Sequence, residues 1–171
     1  MMHASPNKQY LFAGGCDQKC RMISTLSWQQ VFAFDHSLEE LTDENSPAEL
    51  NIYVEAETEE DGPLYEALSK PFKVERLSHA NVRQIQKDSD LPRVGVSQMA
   101  VSSDSLFLAT VNEQCPNLVW LWDLSKCSLA SLIKQAHPVT SICWAPASQT
   151  LNICSTADKI FLWSLRGASV C

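Results

Sequence analysis

The chain has 171 residues, of which 45% are hydrophobic, and a formal net charge of −7 from 13 basic and 20 acidic residues. This length and hydrophobic content are typical of one ordinary domain with a buried core. The sequence contains no run of about 18 apolar residues and no signal peptide. An acidic chain without a basic stripe is a poor binder of nucleic acid. We therefore expect a soluble, intracellular protein with neither a membrane nor a nucleic acid as its partner.

Residues 10–13, 20–24 and 30–34 have the pattern of short strands, and the first turn between them carries Asp17. The order of strand, Asp-bearing turn, strand, connection and strand is three quarters of a four-stranded unit. We interpret residues 1–36 as such a partial unit, whose first strand is missing from the sequence.

The regular pattern stops between residues 37 and 91. Ten of the 20 acids lie between Glu39 and Asp61, where there is no Lys or Arg, which is typical of solvated loops. Residues 50–54 form a credible single strand. Farther along, four apolar residues could dock on a domain: Leu68, Phe72, Val74 and Leu77. We interpret residues 37–91 as a long acidic, largely irregular insertion between two repeats.

Residues 92–136 have the pattern of a complete four-stranded unit. Its third strand, residues 118–124, is apolar on both faces and ends in Trp122 and Asp123, as in a strand buried on both sides. The pattern returns 41 residues later with Trp163, within the period of roughly 40 to 45 residues of WD-type blades. Residues 137–171 repeat three strands, and their tail is too short and too small for a fourth.

Together, residues 102–110 and 118–124 resemble a WD-repeat blade. The fold class implied is all-β: a partial WD40 β-propeller of about three four-stranded antiparallel blades, the outer ones incomplete, with an acidic insertion between blades. A family member would have further blades on both sides, so we expect the chain to be a fragment or a shortened product.

More narrowly, residues 17–23, 50–57, 92–96 and 117–123 resemble the centrosomal and spindle-pole WD-repeat proteins. The resemblance implies a non-catalytic scaffold in microtubule anchoring and mitotic spindle assembly, located in the cytoplasm at the centrosome or spindle pole. The partners implied are a coiled-coil anchoring protein and a minus-end-directed kinesin.

WD blades contain a structural set in which a buried Trp N–H is satisfied through a Ser or Thr, a His and an Asp. The second repeat has Trp122 and Thr110 but Asn112 in a longer turn and no His before it, and the first has Asp17 with Ile23 in the Trp slot. The resemblance gives a structural role to Asp17, Thr110, Trp122, Asp123, His137, Ser155 (or Thr156), Asp158 and Trp163.

Three alternatives concern binding or catalysis. The acidic run that contains Glu57, Glu59, Glu60 and Asp61 is either a solvated loop or a docking site for a basic segment of a partner. Ubiquitin-ligase receptors often carry an Arg two residues after a Trp-Asp pair. Only part of this combination of a Trp-Asp pair and a following Arg is present in the sequence, so a substrate receptor of a cullin-type ubiquitin ligase remains the alternative function. The third alternative, a hydrolase, is not supported, because the sequence shows no convergent nucleophile, base and oxyanion set.

Metal and redox chemistry are not expected. Seven cysteines are an odd number, and Cys143 and Cys154 lie in apolar runs where a thiol behaves as a small hydrophobe. Cys16 and Cys20, with His36 farther on, lack the second Cys pair that a zinc site requires. The sequence therefore predicts reduced thiols, no metal and no cofactor.

Overall fold

The computed structural model describes residues 1–38, 50–55, 72–76, 95–156 and 159–170, which contain fourteen β-strands. The strands are β1 Met2–Ala4, β2 Tyr10–Gly14, β3 Lys19–Ser24, β4 Gln30–Asp35, β5 Asn51–Glu55, β6 Phe72–Arg76, β7 Val96–Val101, β8 Phe107–Asn112, β9 Cys115–Asp123, β10 Ser128–Lys134, β11 Val139–Trp144, β12 Leu151–Ser155, β13 Ile160–Ser164 and β14 Gly167–Val170. None of the described residues forms a helix that could cross a membrane.

The strands form three sheets, which are the three blades expected from the sequence. The first has the order β1-β2-β3-β4, the second β6-β5-β10-β9-β8-β7 and the third β11-β12-β13-β14. Neighbouring strands are antiparallel except for β5, which runs parallel to β10. The all-β class and the blade architecture are therefore confirmed.

The prediction that the first blade lacks its first strand was wrong. Strand β1 pairs with β2, with Met2 opposite Ala13 and Ala4 opposite Leu11. This strand has three residues and is largely exposed, so it has no apolar alternation that a sequence pattern can show. Backbone pairing with the edge of β2 defines it instead.

The prediction that the third blade lacks its last strand was also wrong. Strand β14 pairs with β13, with Val170 opposite Phe161 and Gly167 opposite Ser164. Its small residues have little intrinsic strand preference, but strand formation depends strongly on what lies beside the segment. The edge of β13 supplies that context.

The insertion contributes two strands to the second blade. The strand expected at residues 50–54 is confirmed as β5, and β6 pairs with it in antiparallel fashion. Glu57, Glu59, Glu60 and Asp61 lie outside the described residues.

Two apolar clusters join the blades face to face. Because side chains alternate along β9, Trp120 and Trp122 point toward the first blade, whereas Val119 and Leu121 point toward the third. The indoles of Trp120 and Trp122 stack with centroids 5.7 Å apart, which confirms that they share a face. The core is thus divided between the two blade junctions.

Candidate functional site

A buried chain of hydrogen bonds crosses the junction between the first and second blades. Trp122 Nε1 donates to Thr110 Oγ1 over 2.9 Å, and Thr110 Oγ1 lies 2.7 Å from His36 Nε2. On the other side of the ring, His36 Nδ1 lies 2.8 Å from the carbonyl oxygen of Gln18. All three side chains are buried.

The chemistry of the partners fixes the direction of this chain. A carbonyl oxygen only accepts, so His36 Nδ1 carries the proton and donates to Gln18. His36 Nε2 then accepts from the Thr110 hydroxyl, whose oxygen accepts from Trp122. The imidazole is neutral, in agreement with its pKa, which burial lowers to about 4.

The prediction that no His precedes the second blade was wrong. His36 fills that position in space, but the insertion separates it in sequence from the blade that it serves. It therefore serves as a blade-joining residue rather than a neighbour of Cys16 and Cys20 in a zinc site. In the described part of the chain, no group of three or more His, Cys, Asp or Glu could hold a metal ion.

Gln18, in the β2–β3 turn of the first blade, is the last acceptor in this chain of hydrogen bonds. Its carbonyl accepts a hydrogen bond from His36 Nδ1, and its side-chain oxygen accepts one from Asn112 Nδ2 over 3.3 Å. Gln18 has a φ of 63°, a left-handed conformation that costs free energy in a residue other than glycine. The turn of the first blade is thus held against the second blade at two points.

Asp17 does not join a buried set. Its carboxylate pairs with Arg21, with one hydrogen bond of 3.1 Å and a second shorter contact. The hydrogen bond from Arg21 lowers the pKa of Asp17 to about 2. Ile23 pairs with Leu11 in the first blade as Trp122 pairs with Leu108 in the second, so Ile23 occupies the Trp slot as predicted.

The third blade has the Trp but not the hydroxyl. Trp163 pairs with Leu151 as Trp122 pairs with Leu108, so the residue equivalent to Thr110 is Ile153. Ser155 lies two residues farther along β12, where it is opposite Val139. Trp163 Nε1 is accordingly buried and donates no hydrogen bond to any of the described residues.

The two other members predicted for this third set are His137 and Asp158. His137 is exposed, before β11, rather than buried at the junction, and Asp158 lies outside the described residues.

Asp123 organises the turn after β9, where its carboxylate accepts hydrogen bonds from the backbone N–H groups of Ser125 and Lys126. Burial favours a higher pKa for Asp123, but hydrogen bonds, the largest from the Ser125 side chain, outweigh it and lower the pKa.

The insertion strands brace the second blade against the third. Tyr53 of β5 lies edge-on to Trp163 with centroids 6.5 Å apart, and Phe72 of β6 lies edge-on to Phe161 at 5.5 Å. Glu55 adds a carboxylate oxygen that accepts the backbone N–H of Ala136 over 2.7 Å. Phe72 therefore docks on the domain as expected from the sequence.

Trp144 and Trp28, two isolated tryptophans in the sequence, have different environments. Trp144 donates through Nε1 to the carbonyl of Ala100 over 3.0 Å and stacks on Phe107, which confirms packing between adjacent blades. Trp28 is 72% exposed at the β3–β4 turn. The sequence did not predict which of these two tryptophans packs between blades and which is exposed.

Three face-to-face blades, with a Trp-Thr-His chain across one junction, define a segment of a WD40-repeat β-propeller. Proteins of this class are in general non-catalytic scaffolds that bind other proteins. In sequence, the chain is similar to WD-repeat proteins. It is 32% identical over 192 aligned residues to WD repeat-containing protein WRAP73 of Mus musculus, covering 95% of this chain and 37% of that protein.

A second relative is an uncharacterized WD repeat-containing protein of Schizosaccharomyces pombe, 24% identical over 161 aligned residues, covering 87% of this chain and 30% of that protein. The chain thus spans about a third of the length of these two relatives. No protein-family model matches the sequence.

Solved structures show the same fold. The WD40 repeats of RRP9 and the structure of U3-55K each match with a TM-score of 0.57, at 13% and 14% identity. Each match covers 99% of this chain, and 36% and 37% of the respective solved chains.

Proposed function

We propose that the chain is part of a non-catalytic WD-repeat scaffold that acts at the centrosome or spindle pole in microtubule anchoring and mitotic spindle assembly. Its partners are a coiled-coil anchoring protein and a minus-end-directed kinesin. The observation that carries the proposal is the 32% identity to WRAP73 over 95% of the chain, together with the motifs that resemble spindle-pole WD-repeat proteins.

The blade junctions support a binding role rather than chemistry. His36, the buried histidine at the first junction, has both ring nitrogens engaged and is neutral, so it has no free lone pair with which to act as a base. Aromatic contacts across the two junctions, Phe34 with Trp122 and Phe107 with Trp163, fix the blades relative to one another. Rigid blades present their rims and loops to a partner with little loss of conformational entropy.

Localisation in dividing cells is the first test. We expect the full chain, fused to a fluorescent protein, to concentrate at spindle poles and to copurify with a coiled-coil pole protein. A diffuse signal, with no coiled-coil protein recovered, would contradict the proposal. Copurification with a cullin adaptor instead would support the alternative of a ubiquitin-ligase substrate receptor.

The acidic run is the second test, since ten acids without a countercharge nearby in sequence could dock a basic segment of the partner. We expect replacement of Glu57, Glu59, Glu60 and Asp61 by Ser to weaken copurification with the coiled-coil protein. Replacement of four other acids of the insertion by Ser, at Glu39, Glu40, Asp43 and Glu44, is the matched control because it changes the net charge equally. Equal recovery with both variants would show that the run is only a solvated loop.

A further inference from the structure

The outer edges of the first and second blades have the same backbone geometry. Gln30 of β4 pairs with Ile23 and Leu129 of β10 pairs with Trp122, at equivalent positions. Directly after this pair, both strands carry a one-residue irregularity, at Val31 in the first blade and at the corresponding position in the second. What the edge of β10 accepts is therefore informative about the edge of β4.

The edge of β10 accepts a further strand. Strand β5 pairs with it in parallel, with Ser131 opposite Asn51 and Lys134 opposite Val54. By equivalence, the same addition on the first blade would pair with residues 32–35 of β4. Strand β4 is the last strand of its sheet among the described residues.

The side chains along this free edge are apolar and exposed. Leu26 is 95% exposed, Trp28 72%, Val31 51% and Phe32 36%. In the second blade, Ser131 stands where Phe32 stands in the first, and the equivalent turn packs its apolar residues against the core. The first blade thus has large apolar side chains where the strand-covered edge has a small polar one.

The edge also lacks the usual protection against pairing. Exposed edge strands are normally blunted by charges, especially Lys, as β6 is by Lys73 and Glu75. In β4 the first charge is Asp35, and Lys19 holds it in an ion pair of 2.8 Å. Between Gln30 and Asp35, no charge opposes the approach of another strand.

The φ of Trp28 is 58°, and that of Cys127, at the equivalent turn of the second blade, is 49°. The positive φ therefore belongs to the geometry of this turn, in which the N–H of Trp28 donates to the carbonyl of Ser24 over 2.8 Å. The two blades differ in the side chain, because Trp28 is large and 72% exposed, whereas Cys127 packs against the core.

The geometry points to strand addition at this edge as a binding mode for a partner protein. The occupant is an extended, uncharged segment that runs parallel to β4 along Phe32 and its neighbours. Its apolar side chains cover Phe32 and Val31, and its first residues lie against Leu26 and Trp28. Main-chain hydrogen bonds give such a complex its affinity, and the exposed apolar side chains give it selectivity.

A second copy of this chain is a poorer occupant. Two β4 edges related by a two-fold axis would run antiparallel, whereas the edge that the molecule itself fills takes its strand in parallel. This inference rests on the proposed scaffold function and names one surface through which that function would operate.

The test uses the full chain and, as the probe, a displayed library of random peptides about twelve residues long, enough for a strand of about five or six residues with flanks. We expect selection to enrich peptides with alternating apolar residues. Binding of a selected peptide should fall at least about tenfold in the Phe32→Lys variant, which places a charge on the edge and removes an apolar contact. Val74→Lys is the matched control, because Val74 is 58% exposed on β6, and it should bind as the wild type does.

Two further measurements distinguish strand addition from nonspecific hydrophobic binding and from an effect on folding. A selected peptide methylated on alternate backbone nitrogens should lose its binding, since it cannot pair with β4. Trp28→Gly should weaken binding while the melting temperature stays equal or rises, because glycine adopts the positive φ without strain.

Several outcomes would overturn the inference: no enrichment, equal binding to Phe32→Lys, or equal binding of the methylated peptide. A wild-type dimer that Phe32→Lys converts to a monomer would assign the edge to a second copy. If selection fails while the chain still concentrates at spindle poles, only this surface is lost. If the pole signal is absent, it is the proposed function that fails.

Discussion

His36 and Gln135 occupy equivalent positions in successive blades. His36 directly follows β4 and donates its backbone N–H to Gln18 over 3.1 Å, and Gln135 directly follows β10 and donates to Asn117 over 2.9 Å. The His36 side chain completes a hydrogen-bonded chain, whereas both polar atoms of the Gln135 side chain are buried without a partner among the described residues. The two junctions therefore share a backbone design but differ in their polar side chains.

Removal of the Thr110 hydroxyl should destabilise the first junction. Thr110→Val leaves His36 Nε2 and Trp122 Nε1 buried without partners, and we expect a loss of about 2 to 4 kcal/mol in the free energy of unfolding. Chemical denaturation measures this loss. Thr140→Val is the control, since Thr140 is exposed and should change stability by about 0.5 kcal/mol or less. Equal losses in the two variants would contradict the buried chain.

The second junction should accept the network of the first. We expect Gln135→His and Ile153→Thr together to be more stable than the sum of the single changes predicts, by about 1 to 2 kcal/mol, because the hydroxyl that accepts from Trp163 can then also donate to the introduced imidazole. The matched control is Gln135→His with Ile153→Val, which has the same shape but no hydroxyl. A coupling free energy near zero in both pairs would show that the blades are not equivalent here.

Stability should depend on pH through His36. Its pKa is lowered to about 4 in the folded chain and is near 6.5 when unfolded, so the unfolded chain binds the extra proton first. Stability is therefore complete above about pH 6.5 and is lost as the pH falls toward 4, by about 3 kcal/mol in all. Unfolding of the wild type and of His36→Gln across this range measures the difference. Parallel pH dependences would refute the assignment to His36.

The insertion should stabilise the junction between the second and third blades. Phe72→Ala removes the edge-on contact with Phe161, and we expect a loss of about 1 to 2 kcal/mol for this half-buried ring. Val74→Ala on the same strand is the control, because Val74 is largely exposed. If both variants unfold like the wild type, the insertion strands do not brace the fold.

Thiol reactivity should follow burial. Burial raises the pKa of Cys20 to about 12, so its reactive thiolate is scarce at neutral pH. We expect a thiol reagent to modify the exposed Cys16 and Cys143 in the folded chain, and Cys20 only after unfolding. Mass spectrometry of the labelled chain identifies the sites. Early modification of Cys20 would contradict its place in the core.

Side-chain patterns predicted the parts of the fold that depend on apolar burial. The run that ends in Trp122 is buried on both faces, and its return at Trp163 gave the blade period. The two strands without such a pattern, at Met2–Ala4 and Gly167–Val170, were missed because a neighbouring backbone edge defines them. The acidic segment around Glu57 stays a sequence prediction.

By itself, the sequence determined that the chain is built of WD-type blades, since alternation and a fixed repeat length are local properties of the residues. Only the tertiary structure decided which histidine serves the second blade, because the insertion moves His36 far from Thr110 in sequence while the packed blades bring them within 2.7 Å. Register likewise decided that Ile153, and not Ser155, takes the position in the third blade that Thr110 takes in the second. Pairing between strands sets that relation, and no segment contains it alone.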